Sequence, residues 1–212
     1  MDRFISACFL LILAGSCQRP VPASSRPPGP DLPYDDSLIH HAMGLLQDGD
    51  LVLRTGNDFI SQSLRLFSLK DPTYSHGGLA RIRGGKLLVY HAIGGEDNPA
   101  ETLRRDPLGY FWDPEHNWGI AIYRYDLNRD GIRKLDSMEQ LFYSRKVKFD
   151  LKFDLKTDDS LYCTEFIYKS LLRATGDSSY IPLTHWAGLT YVATDNLFLN
   201  RHAKLIYRAT FK

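Results

Sequence analysis

Three residues have the types and placement for acyl-transfer chemistry: Cys163, His76 and His91. Cys163 stands in "DDSLYCTEFIYKSLL" (158–172) and is the only cysteine after residue 17. A thiol attacks a carbonyl as thiolate, and its solution pKa of about 8.5 is too high for neutral pH. A helix N-terminus and a neighbouring imidazole both lower that value. Asp158, Asp159 and Ser160 are helix-capping types, so a helix is predicted to start within a residue or two of Cys163. Cys163, Ile167 and Leu171 are four apart and form one stripe, facing a sheet. Taken alone, that stripe favours a small core cysteine, and the choice rests on what the chain supplies as a base.

His76 opens the run "HGGLARI" and His91 closes "KLLVYHAI". A hairpin turning at Arg83-Gly84-Gly85 places the two histidines roughly opposite each other, with a parity that puts both on one face. A base and its orienting group need that geometry, one imidazole taking the thiol proton and the other holding its far nitrogen. Gly77 and Gly78 follow His76, so another group can approach closely there. The plain alternative for each histidine is a polar residue at a strand end.

The elements that must position these residues follow from hydrophobic periodicity. A helix is expected in "DDSLIHHAMGLLQDGD" (35–50), a strand at 50–55 and a short helix at 59–68. The His76–His91 hairpin, a strand at 119–127 and an amphipathic helix at 132–147 come next. The Cys163 helix runs to Ala174, and a strand at 204–211 closes the chain. Strands precede the cysteine helix, which reads as an α+β fold. "DLNRDG" (126–131) imitates a calcium loop, but its twelfth position is Ser137 and supplies no bidentate carboxylate, so a strand-to-helix turn explains it better. Without an HExxH motif, and with one thiol in the folded part, no metal or other cofactor is called for. Tyr74, Tyr162 and Asp50 lie near these motifs, and each reads as structural.

Taken in order, "GDLVLRTG", "YSHGGLARIRGGKLLVYHAIGG" and "FDLKFDLKTDDSLYCTEFI" resemble the YiiX/YaeF/YebB-like permuted papain-like amidases. The first two blocks are also similar to NlpC-type cell-wall peptidases, in which the cysteine comes before the histidines. Here it follows them, as in relatives of lecithin retinol acyltransferase. The resemblance spans roughly residues 45–200 and implies a circularly permuted, papain-like α+β fold, its antiparallel sheet packed on the cysteine-bearing helix. It also implies that Cys163 is the nucleophile, His76 the base and His91 the third polar residue, where other members carry Glu. The activity expected is cysteine hydrolysis of an amide or peptide, with cell-wall peptide as one substrate. Action on lipid acyl groups, as hydrolase or acyltransferase, and a non-catalytic envelope binding module are the alternatives.

The first residues add a location. "MDRFISACFLLILAGSCQRP" has an early Arg3, an apolar run from Phe4 to Ala14 and small residues ending at Cys17. That run is too short to span a bilayer and matches a secretory signal. "LAGSC" resembles the bacterial lipobox, with Ala14 where Leu is more usual, so lipidation of Cys17 is expected; the alternative is ordinary cleavage near Ser16. Residues 1–16 are then the signal, 17–33 the lipidated cysteine and a proline-rich spacer, and 34–212 the catalytic domain. The protein would be exported and tethered to a membrane of the cell envelope. Cys163 would be left as a free thiol in an oxidising compartment. Net charge is +1 with no long basic run, so a nucleic-acid partner is not suggested. Oligomeric state has no signature in the sequence.

Overall fold

The structure is a computed structural model that describes residues 36–94, 100–153 and 155–211. The expected signal, Cys17 and the proline-rich spacer lie outside the described residues. Six strands form one antiparallel sheet: β1 (Leu51–Gly56), β2 (His76–Arg83), β3 (Lys86–His91), β4 (Arg104–Pro107), β5 (Asn117–Tyr125) and β8 (Ala203–Thr210). Their spatial order is β4-β3-β2-β1-β5-β8. A separate two-stranded ribbon pairs β6 (Thr184–Trp186) with β7 (Leu189–Tyr191). The helices are α1 (Asp36–Leu45), α2 (Phe59–Arg65), α3 (Leu108–Phe111), α4 (Arg129–Ser144), α5 (Cys163–Thr175) and α6 (Thr194–Phe198).

Both faces of the central strands are buried, which is why they read as nearly continuous apolar runs. Leu51, Leu53, Leu79, Tyr90 and Ala121 face a core shared with Phe166, Ile167 and Leu171 of α5 and Leu135 and Phe142 of α4. Val52, Ala80, Val89, Ile120 and Ile122 face the other way, against Ile39 and Ala42 of α1 and Leu108, Phe111 and Trp112 around α3. The two-residue period of a strand assigns alternate residues to the two cores.

Buried charge pairs fix the outer elements to this sheet. Arg81 of β2 grips Glu139 of α4 through two parallel hydrogen bonds of 2.7 and 2.8 Å, both side chains almost fully buried. Asp50 accepts two hydrogen bonds from Arg124 (2.8 and 2.7 Å) and one from the Gln47 N–H, closing the turn that launches β1. Asp50 is therefore structural, as its position suggested. The 126–131 turn likewise does what its sequence indicates. Asn128 caps α4, its Oδ1 accepting from the Gly131 N–H at 2.8 Å.

Among the described residues Cys163 is the one free cysteine, and no helix is long and apolar enough to cross a membrane.

Candidate active site

His76 begins β2 and His91 ends β3. Leu79 pairs with Tyr90 in that hairpin, and continuing the ladder puts His91 across from Gly78. The two histidines are thus diagonal neighbours on one face, roughly opposite as expected and two residues from direct opposition. Their rings meet edge-on, with His76 Nε2 3.0 Å from His91 Nδ1. Phe111 of α3 touches both rings, at 5.7 Å from His76 and 5.1 Å from His91.

Gly78 makes this closeness possible. A Cβ there would lie 2.4 Å from Val89 Cγ1 and 2.9 Å from the Tyr90 carbonyl oxygen. The carbonyl belongs to the backbone of β3, so Gly78→Ala must push that strand and His91 away from β2. The expected cost is about 1–3 kcal/mol, read as a fall in the denaturation midpoint.

The chain of contacts continues to a residue that sequence reading missed. His91 Nε2 lies 3.0 Å from Asp106 Oδ2 on β4, and Arg104 holds the same carboxylate at 2.9–3.0 Å. Burial raises the Asp106 pKa, but the hydrogen bond and charge of His91 and the Arg104 guanidinium prevail and hold it below the usual carboxylate value. An ionised Asp106 fixes the rest by assignment of protons. His91 donates Nε2–H to Asp106, so its Nδ1 accepts. His76 then donates Nε2–H to His91, and its own Nδ1 is left as a lone-pair base. Burial, Arg54 and His91 together hold His76 well below the ordinary imidazole pKa. Burial also lowers His91, against the opposing pull of Asp106.

Cys163 is the first residue of α5, with Tyr162 as its N-cap. The expected caps do other work. Asp158 pairs with Lys169 (3.1 Å) and Arg173 further along the helix, while Glu165 accepts the Tyr162 N–H at 3.2 Å. The residues flanking the thiol clamp one peptide segment. The Tyr162 hydroxyl accepts the Val192 N–H at 2.9 Å, and the Thr164 hydroxyl donates to the Val192 carbonyl at 2.6 Å. Tyr162 thus serves the structure, as expected. Gly77 lets α5 approach β2, since a Cβ there would meet Leu53 Cδ2 at 2.9 Å and Ile167 Cδ1 at 3.3 Å.

The thiol arrives from the α5 face of the sheet, whereas the histidines lie on the α3 face. They converge at the sheet end where β2 begins. The groups on the sulfur are the backbone N–H of Thr164, of Gly77, the residue next to His76, and of Cys163 itself, with the Arg54 charge nearby. No hydrogen bond joins the thiol to His76 among the described residues. A lowered thiol pKa was expected from the helix start; burial overrides it and pushes Cys163 up to about 11. The resting site therefore holds a neutral thiol and a neutral imidazole.

No family model matches the chain, and no curated protein matches it. Among solved structures, an α+β protein is similar over most of both chains. It is the metalloprotein YiiX of Escherichia coli O157:H7, with a TM-score of 0.64 and 19% identity over 78% of this chain and 99% of that one. The chain thus has the fold of YiiX, in agreement with the resemblance drawn from its motifs.

Proposed function

We propose that the chain is a cysteine hydrolase of permuted papain-like architecture that cleaves an amide or peptide bond. The observation that carries this reading is the relay from Arg104 and Asp106 through His91 to His76, whose chain neighbour Gly77 hydrogen-bonds the Cys163 sulfur through its N–H. As Cys163 Sγ attacks the carbonyl carbon, its proton passes to His76 Nδ1 and the carbonyl π pair moves onto oxygen. In this reading the Cys163 backbone N–H meets that oxyanion, and the Gly77 N–H, which also lies on the sulfur, is taken as the second donor. Collapse expels the amine, which takes the proton from His76 and leaves a thioester on Cys163. Water, giving one proton to His76, adds to the thioester, and as the acid leaves, the sulfur takes that proton back from His76 to regenerate the free thiol. Throughout, Asp106 and His91 stabilise the imidazolium that forms on His76.

YiiX is described as a metalloprotein. Here no group of three or more His, Cys, Asp or Glu among the described residues is arranged to hold a metal ion. His91 and Asp106 spend their nitrogens and carboxylate on each other, His76 and Arg104, which leaves His76 Nδ1 as the one open nitrogen of the three, too few donors for a metal site, and no step is drawn through one.

Export and tethering through a lipid on Cys17 complete the proposal and make cell-wall peptide an accessible substrate. The mature protein should partition into detergent, and Cys17→Ala should release it or block its processing; a soluble mature chain starting elsewhere would remove the anchor from the account. For the reaction, wild type and Cys163→Ala are incubated with peptidoglycan fragments and lipid extracts, and products are read by mass spectrometry. A new amine and acid formed by wild type alone support the hydrolase. An acyl group moved to another acceptor indicates an acyltransferase. If no product depends on Cys163, the chain is a binding module, a reading that the buried thiol also favours.

A further inference from the structure

A cleft of about 520 Å³ opens at the same end of the sheet as the candidate site, between the 71–74 loop and the ends of β1, β5 and β8. Its floor includes Thr55 and Gly119, paired across β1 and β5, and Thr210, paired with Gly119 across β5 and β8. Thr55 lies two residues beyond Leu53 on the α5 face of β1. Leu53 pairs with Gly77, whose N–H meets the Cys163 sulfur. Two residues of strand span about 7 Å, so the cleft begins about two extended substrate residues from the thiol and on the thiol's side of the sheet.

The lining is charged as well as aromatic. Arg65, Arg208 and Asp71 contribute two positive charges and one negative, a net of +1. Arg65 is committed to the Pro72 carbonyl and to Gln62 Oε1. Arg208 projects from β8 and makes no hydrogen bond or ion pair among the described residues. Tyr74 and Tyr123 hydrogen-bond to each other in the cleft, with Asp71 and Arg208 acting on both. Trp118 leaves 47% of its surface exposed at the rim. An open guanidinium beside tyrosine hydroxyls and an indole face suits a single negative charge attached to an apolar body. Asp71 disfavours a second negative charge.

We propose that this cleft anchors the substrate of the neighbouring thiol, and that it takes a singly charged anion, a carboxylate or a phosphodiester, paired to Arg208 with its apolar part against Trp118. The assignment of this ligand as substrate rests on the hydrolase reading; the binding itself does not. A peptide carboxylate and a lipid headgroup both offer such an anion.

The test follows the Trp118 indole N–H resonance of the full chain by NMR during titration with 3-phenylpropionate, with phenyl methyl phosphate and with the uncharged 3-phenylpropionamide. Either anion should shift the resonance saturably, the amide should bind at least tenfold more weakly, and Arg208→Gln should remove that preference. Tighter binding of the carboxylate assigns a peptide-type ligand, and tighter binding of the phosphodiester a lipid-type one. Equal behaviour of anion and amide, including no shift from any of them, or an unchanged preference in Arg208→Gln, would overturn the proposal. Saturable anion binding in a protein with no Cys163-dependent turnover would leave the cleft assigned and remove the hydrolase reading alone.

Discussion

His76→Ala should lower kcat/KM on an amide or ester substrate by a factor of about 10³ to 10⁴, roughly 4–5.5 kcal/mol of transition-state stabilisation. The size follows from the resting protonation states. A thiol raised to about 11 gives no useful thiolate at neutral pH, so nearly every attack needs His76 to remove the proton. His91→Ala and Asp106→Asn leave that base in place and disturb only its orientation and the stability of its imidazolium. Each should cost about tenfold to a thousandfold, and His91→Glu or His91→Gln should retain more activity than His91→Ala because both can still accept from His76 Nε2–H. The pH profile carries the same information. The acid limb of kcat/KM should lie below 6.5, since His76 is held well below that value, and activity should persist far into the alkaline range. A preformed thiolate–imidazolium pair would instead lose activity on the alkaline side at the imidazolium's pKa, well below 11.

The same histidines set a stability trend. Their folded pKa values are depressed, so on acidification the unfolded chain gains protons at about 6.5 that the folded chain refuses. Stability is fully present above that pH and is lost as pH falls through it toward the folded values. Tm should therefore drop between pH 7 and 5.

Glu139→Ala should have the largest effect on folding, destabilising by about 3–5 kcal/mol, because it leaves the buried guanidinium of Arg81 with only the 3.5 Å contacts to Asp136 and the Ile132 carbonyl. Arg81→Met combined with Glu139→Leu should recover most of that loss, since two apolar side chains of similar volume need no partner. Chemical denaturation of wild type and these two variants measures both claims. A cost under 1 kcal/mol for Glu139→Ala would mean that the site is open to water.

The central hairpin was legible because two apolar runs, "HGGLARI" and "KLLVYHAI", flank a turn at Arg83-Gly84-Gly85. The helix at Cys163 was legible through the four-residue spacing of Cys163, Ile167 and Leu171. Its capping was misread: Asp158 is a good cap by type, but Lys169 and Arg173 stand on the same side one to three turns later and claim it. Asp106 was invisible because β4 is four residues of "RRDP", too short and too charged to show a strand period, and its membership of the sheet is decided by pairing with β3. The thiol's pKa was misjudged because residue types reveal a helix start but not how far packing shuts water out. The cleft depends on β8 and the 71–74 loop, residues separated by more than 130 positions, and no local pattern joins them.

The central claim is that Cys163 attacks through a proton transfer to His76. The most direct measurement is the rate at which p-nitrophenyl acetate acylates the protein at pH 7.5, followed by intact mass and peptide mapping. The wild type should acquire one acetyl group on Cys163, His76→Ala should acquire it at least 100-fold more slowly, and Cys163→Ala should acquire none. An acylation rate at Cys163 that is the same in wild type and His76→Ala would contradict the account and leave Cys163 a core thiol.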